Sequence, residues 1–136
     1  MKVSHNIPLP AATGRRKSPE LKAIERKLYA GDAMVGAIQG AIEGSAGVLA
    51  AEGLGQAVLP LLVAGGVAAQ RSNPENLSRN VAFSAARTAV YAAAGALGGT
   101  TAGLATLGVG AAVGATIAVL QTRAELREMD RRWENL

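Results

Sequence analysis

Two carboxylates stand alone in a long apolar stretch of this sequence: Glu43 and Glu52 are the only charged side chains in residues 33–70. A pair of carboxylates can divide general acid and base work between them, provided both reach one reacting group. Nine residues of helix place these two about 180° apart, so they do not converge. Each instead calls for a polar partner or a water-filled lumen on its own side. The other reactive types are sparse. His5 is the only histidine and there is no cysteine, so covalent catalysis would fall to a serine with a lysine or lone carboxylate. The glycine-rich stretches lack a following Lys-Ser/Thr and a preceding strand, which a phosphate-cradling loop requires. No cluster has metal-ligand spacing. The sequence therefore predicts a non-enzymatic protein with no cofactor, no metal and no small-molecule substrate.

Basic residues suggest a different chemistry. Residues 1–31 hold seven Lys/Arg against two Glu, among them Arg15, Arg16, Lys17, Lys22, Arg26 and Lys27. These six are candidates for contact with anionic lipid headgroups at a membrane surface. The same side chains could meet nucleic-acid phosphates without sequence preference, but neither interleaved aromatics nor a reading helix accompanies them. Arg71, Arg79 and Arg87 follow later, and residues 88–122 carry no charge at all. The last fourteen residues balance four basic against four acidic side chains.

The elements that carry these groups are read from spacing and breakers. Pro8, Pro10 and "TGRRKS" make residues 1–17 an extended basic arm. This arm lacks the apolar run of a secretory signal, so membrane contact is expected from internal segments. Ser18-Pro19-Glu20 is a helix start, with Ser as N-cap, Pro at the first position and an acid in the first turn. A short amphipathic helix over 18–31 is expected to end at Gly31. Breaks are expected also at 52–60, at the loop 71–78 and at "GGTT" (98–101). They leave a first block at 32–70, a second at 79–122, and a charged helical tail at 123–136. In the tail Leu126, Met129, Trp133 and Leu136 follow helical spacing and predict docking on a partner or a neighbouring copy.

Glycine organises both blocks. Gly36, Gly40, Gly44 and Gly47 fall on one face of a helix, opposite Val35, Ile38, Ile42 and Leu49. Gly95, Gly99 and Gly103 repeat the spacing, and Gly110 and Gly114 continue it within the row Ala102, Thr106, Gly110, Gly114, Ala118. Glycine costs a helix roughly 0.5–1 kcal/mol relative to alanine, so a helical period of glycines predicts helices packed backbone to backbone. Helices in lipid favour this arrangement, because burial of apolar surface does not drive their association there. The expected fold is all-α: Ala/Gly-rich helical hairpins with glycine-zipper packing, a long charged C-terminal helix and an extended N-terminal arm.

In Gly36/Gly40/Gly44 and Gly95/Gly99/Gly103 the sequence resembles glycine-zipper membrane proteins. With its small size, lack of cysteine and charged ends it also resembles the internal virion (ejection) proteins of short-tailed phages. That resemblance implies storage in the virion interior, then assembly of a conduit across the host envelope. The reading is an oligomerising, membrane-associated protein forming part of a helical channel, whose partners are other copies of itself, other proteins of the assembly and membrane lipids. The alternatives are a soluble structural subunit of a larger assembly such as a virion and a holin-like lysis protein.

Overall fold

The computed structural model describes residues 17–72 and 77–135, nearly all of them helical, with no strand among them. The residues of the arm before Lys17, including Arg15 and Arg16, the centre of the expected 71–78 loop, and Leu136 lie outside the described residues.

Helix α1 (Pro19–Ala51) starts where the sequence predicts: the Ser18 hydroxyl accepts the Leu21 amide at 3.2 Å, with Pro19 in the first turn. It does not stop at Gly31. The helix runs on without a break, so residues 18–31 are the first turns of α1 and not a separate element. One helical glycine costs too little to end a helix that gains a neighbour along most of its length. The actual end is Gly53, at φ 75°. There Leu54 N–H reaches Leu49 O at 2.7 Å and Gly53 N–H reaches Ala50 O at 3.2 Å, the two bonds of a Schellman cap. A single 3-10 turn (Gly55–Ala57) leads into α2 (Val58–Ser72). Pro60 sits in the first turn of α2, where a missing N–H leaves no helical bond unmade.

Helix α3 (Leu77–Glu134) is broken at Gly99, which adopts φ 70° and ψ −164°, a region essentially restricted to glycine. Gly95 and Gly103, on either side of it, both abut Gly47 of α1. Farther from the break, Ser84 and Arg87 meet Glu43 on one side. On the other side Thr106 meets Gly44, Gly110 meets Gly40 and Gly114 meets Gly36. The chain therefore reverses at Gly99. Residues 77–98 run parallel to α1 and residues 100–134 run antiparallel to it. This corrects the place of Gly99 among the packing glycines: it is the reversal point, and a Cβ there would meet nothing within 4 Å.

Backbone contact holds α1 to the second arm of α3. A Cβ on Gly40 would fall on the Gly110 carbonyl, one on Gly110 on the Gly40 carbonyl, and one on Gly114 on the Gly36 carbonyl. The interior is correspondingly poor in large apolar groups. Among the described residues its buried hydrophobic side chains are Ala46 and Tyr91, beside the polar Glu43, Ser84, Thr88, Thr106 and Thr122. Eighteen large hydrophobic side chains among the described residues are exposed instead, including Val35 and Ile38 on α1 and Leu97, 90% accessible, on α3.

Glycine positions should therefore separate sharply on substitution. Gly40→Ala overpacks a backbone contact and is expected to lower stability by about 1–3 kcal/mol. Gly31→Ala, where an added Cβ meets nothing within 4 Å, should raise it by roughly 0.5–1 kcal/mol. Thermal unfolding followed by circular dichroism decides the matter, and equal melting temperatures for the two variants would refute this packing.

Candidate functional site

Glu43 is the centre of the most developed polar site. It lies on the glycine face of α1 and its side chain is 1% exposed. The first arm of α3 supplies its partners from one helical face, since Ser84 and Arg87 are three residues apart. Arg87 grips the carboxylate with two N–H groups, Nε to Oε2 at 2.7 Å and Nη2 to Oε1 at 2.9 Å. The Ser84 hydroxyl donates to Oε1 at 2.6 Å, and Gln39 Nε2 stands 3.5 Å away on the preceding turn of α1. Gly65 of α2 closes the site from a third side, where an added Cβ would press on the Ser84 hydroxyl. A fork of two charge-assisted bonds fixes both distance and plane. A buried carboxylate left unpaired would be far too costly to keep charged.

The other buried hydroxyls are also satisfied, within their own helix or across the interface. Thr106 Oγ1 lies 2.6 Å from both the Gly44 and Gly103 carbonyls and Thr88 Oγ1 donates to Ser84 O at 2.9 Å. Thr122 Oγ1 reaches the Asp32 carboxylate at 2.6 Å. No buried side-chain nitrogen or oxygen among the described residues lacks a partner.

Beside Glu43 a cleft of about 540 Å³ opens between α1 and the two arms of α3. Gln39, Glu43 and Arg87 lie in it, with Asp32, Arg79, Phe83 and Glu125 also on its walls. The Arg79 guanidinium lies 5.7 Å from the centre of the Phe83 ring, within the range of a cation–π contact.

The structure distributes the remaining sequence candidates unevenly. Gly36, Gly40, Gly44, Gly47, Gly95, Gly103, Gly110 and Gly114 converge in one contact between α1 and α3, so in this conformation those faces are occupied within one chain and not free to join copies. Glu52 does not join Glu43. It caps α1 at the exposed turn, where Thr100 Oγ1 approaches it at 3.3 Å. Lys22, Arg26 and Lys27 are exposed. Lys17, partly exposed, pairs with Glu25 and, at 2.9 Å, with Asp130. Both carboxylates hold its ammonium above the ordinary lysine range. In the tail Leu126 is half-buried while Met129 and Trp133 remain exposed. Sequence reasoning missed Ser84 and Arg87 as partners of Glu43. The available signal was an arginine at the edge of an uncharged segment, matched against an isolated carboxylate in another.

No protein-family model, characterised protein or solved structure shows detectable similarity to the chain.

The ion pair yields a specific expectation. Removing one partner of a buried pair is strongly destabilising, by about 3–5 kcal/mol. Glu43→Ala should reach that range, and Glu43→Gln less, because the amide oxygen still accepts from Ser84. The double variant Glu43→Ala/Arg87→Ala should be more stable than the sum of its single effects predicts, by about 0.5–3 kcal/mol. Strict additivity in denaturant unfolding would mean that the two side chains do not interact.

Proposed function

We propose that the chain is a non-enzymatic, membrane-inserting helical protein whose copies assemble into part of a channel or conduit. One observation carries this reading: the molecule is apolar outside and polar or glycine-rich inside. Water-soluble domains place their large hydrophobic side chains in the core, and contiguous exposed apolar surface marks a membrane or partner-binding face. Here Val35, Ile38 and Ile42 of α1 are exposed, as are Val90, Leu97, Leu104, Val109 and Leu120 of α3. The packed faces are backbone glycine and hydroxyl, the arrangement that lets helices associate in lipid.

Dimensions agree with this reading. α1 and the segment Ser78–Trp133 are each long and apolar enough to cross a membrane. Their most apolar windows are only 33% and 17% buried inside the molecule, whereas the core helix of a soluble domain would be mostly buried. The part of α1 between Asp32 and Glu52, in which Glu43 is the one charged side chain, is about 28 Å long at 1.5 Å per residue, close to the roughly 30 Å of a bilayer's hydrocarbon. Glu43 then sits near the midplane, neutralised by Arg87, as ionisable groups at that depth are expected to be. Both reversals, at 52–57 and at Gly99, lie at one end of the bundle. The charged starts of α1 and of the tail lie at the other, joined by Lys17 and Asp130. Basic side chains thus collect on one side of the membrane.

The outer faces, not the paired glycines, are the surfaces through which copies would meet. A virion protein ejected into a host envelope is one setting for such a molecule, with other virion proteins covering those faces before release. The exposed Met129 and Trp133 favour a second reading, a structural subunit that docks by its tail on a larger assembly.

Leakage of dye from anionic liposomes tests the proposal. Wild type should float with the vesicles and release dye, more at low than at high salt, because headgroup attraction is screened. Gly40→Leu, which forces α1 from α3, should lose most of the release. A protein that stays monodisperse in buffer without detergent and releases nothing at either salt would replace this reading with the structural subunit.

A further inference from the structure

The cleft beside Glu43 has a position and a charge pattern that the channel reading does not use. Along α1, Asp32 is the last charged residue before the apolar run, and along α3 residues 88–122 are uncharged before Arg123. Asp32 and Thr122 meet at 2.6 Å, so the cleft mouth lies where the charged end of the bundle gives way to its apolar shaft. In a membrane-inserted chain this is headgroup depth.

Both signs of charge face the cleft. Glu43 and Arg87 neutralise each other. Asp32 and Glu125 remain on the walls formed by α1 and the second arm of α3, with Arg79 on the wall formed by the first arm. The Asp32 carboxylate, held in place by the Thr122 hydroxyl, retains further lone pairs for a donor. Gln39 and Gln121 add amide oxygens to the lining. These acceptors suit a primary ammonium, which donates three hydrogen bonds. A quaternary ammonium donates none and seeks open aromatic faces, and the one aromatic ring that lines the cleft among the described residues, Phe83, already carries Arg79. Stacking uses the face of a guanidinium and leaves its in-plane N–H edge for a phosphate.

We infer that the charged end of this cleft binds a phosphoethanolamine zwitterion, with the ammonium on Asp32 and Glu125 and the phosphate on Arg79. The group can come from a phosphatidylethanolamine headgroup or from free phosphoethanolamine. The lipid source rests on the membrane reading above, whereas the chemistry of the cleft does not.

Calorimetric titration of the full chain in a non-ionic detergent tests the inference with phosphoethanolamine, phosphocholine and inorganic phosphate as probes. Phosphoethanolamine is expected to bind at least tenfold more tightly than either of the others. Asp32→Asn and Arg79→Gln should each weaken it at least tenfold while keeping wild-type helicity by circular dichroism. Inorganic phosphate binding as well as phosphoethanolamine, or both variants binding like wild type, overturns the inference, as does the absence of any binding. Flotation with vesicles with and without phosphatidylethanolamine separates the sources. Binding of the free zwitterion by a chain that floats with neither vesicle retains the cleft and removes the membrane reading. Flotation with both vesicles and no headgroup binding does the reverse.

Discussion

The contact of two helix backbones through Gly36, Gly40 and Gly44 on α1 and Gly114, Gly110 and Thr106 on α3 is the constraint on which the rest of the molecule depends. Carbonyl oxygens of one helix occupy the space where the other would carry Cβ atoms. At that separation no leucine or phenylalanine fits between the axes, so the bulky side chains of both helices are displaced to the outside. The small interior and the apolar exterior are consequences of one choice. A chain that spends its glycines on close approach has little space left for a hydrophobic core.

Close approach also determines what the interior can hold. Dispersion between backbones is favourable but short-ranged, and directional bonds supply the specificity that large interlocking side chains supply elsewhere. Thr106 reaches a carbonyl across the α1–α3 interface and Thr122 ties the charged end together. The Glu43–Arg87 fork secures the first arm of α3 to α1 at one register. A one-residue slip would turn Arg87 about 100° away from the carboxylate. The ion pair adds little net stability over an apolar pair of equal volume. Its value is to make every other register costly, more so in lipid, where water cannot solvate a displaced charge.

Gly99 plays the complementary part. Its positive φ returns the chain on itself within a turn, so that Gly95 and Gly103 face the same residue of α1. A single α1 thereby serves both arms of α3 and its glycine face is enclosed from two sides. α2 packs against the remainder through Gly65. This order accounts for the difference between a chain that offers its glycine faces to other copies and one that uses them itself.

Much of this was legible in the residue order. Helical period, the Ser18-Pro19 start, the breaks near Gly53 and at 98–101, the small face of α1 and its bulky opposite face all follow from local sterics and spacing, which act within a few residues. Three features belonged to tertiary structure alone. Gly31 is as flexible as Gly53 in the sequence, yet only contacts along the whole of α1 decide that the helix passes through one and ends at the other. A break somewhere in 98–101 is local, but Gly99 has the same four-residue spacing as Gly95 and Gly103, and that it turns while they pack depends on where the second arm must go. Glu43 calls for a polar partner by its isolation, but the partner lies forty-four residues away in Arg87. Spacing along one helix determines which residues share a face, and only the path of the chain determines which faces meet.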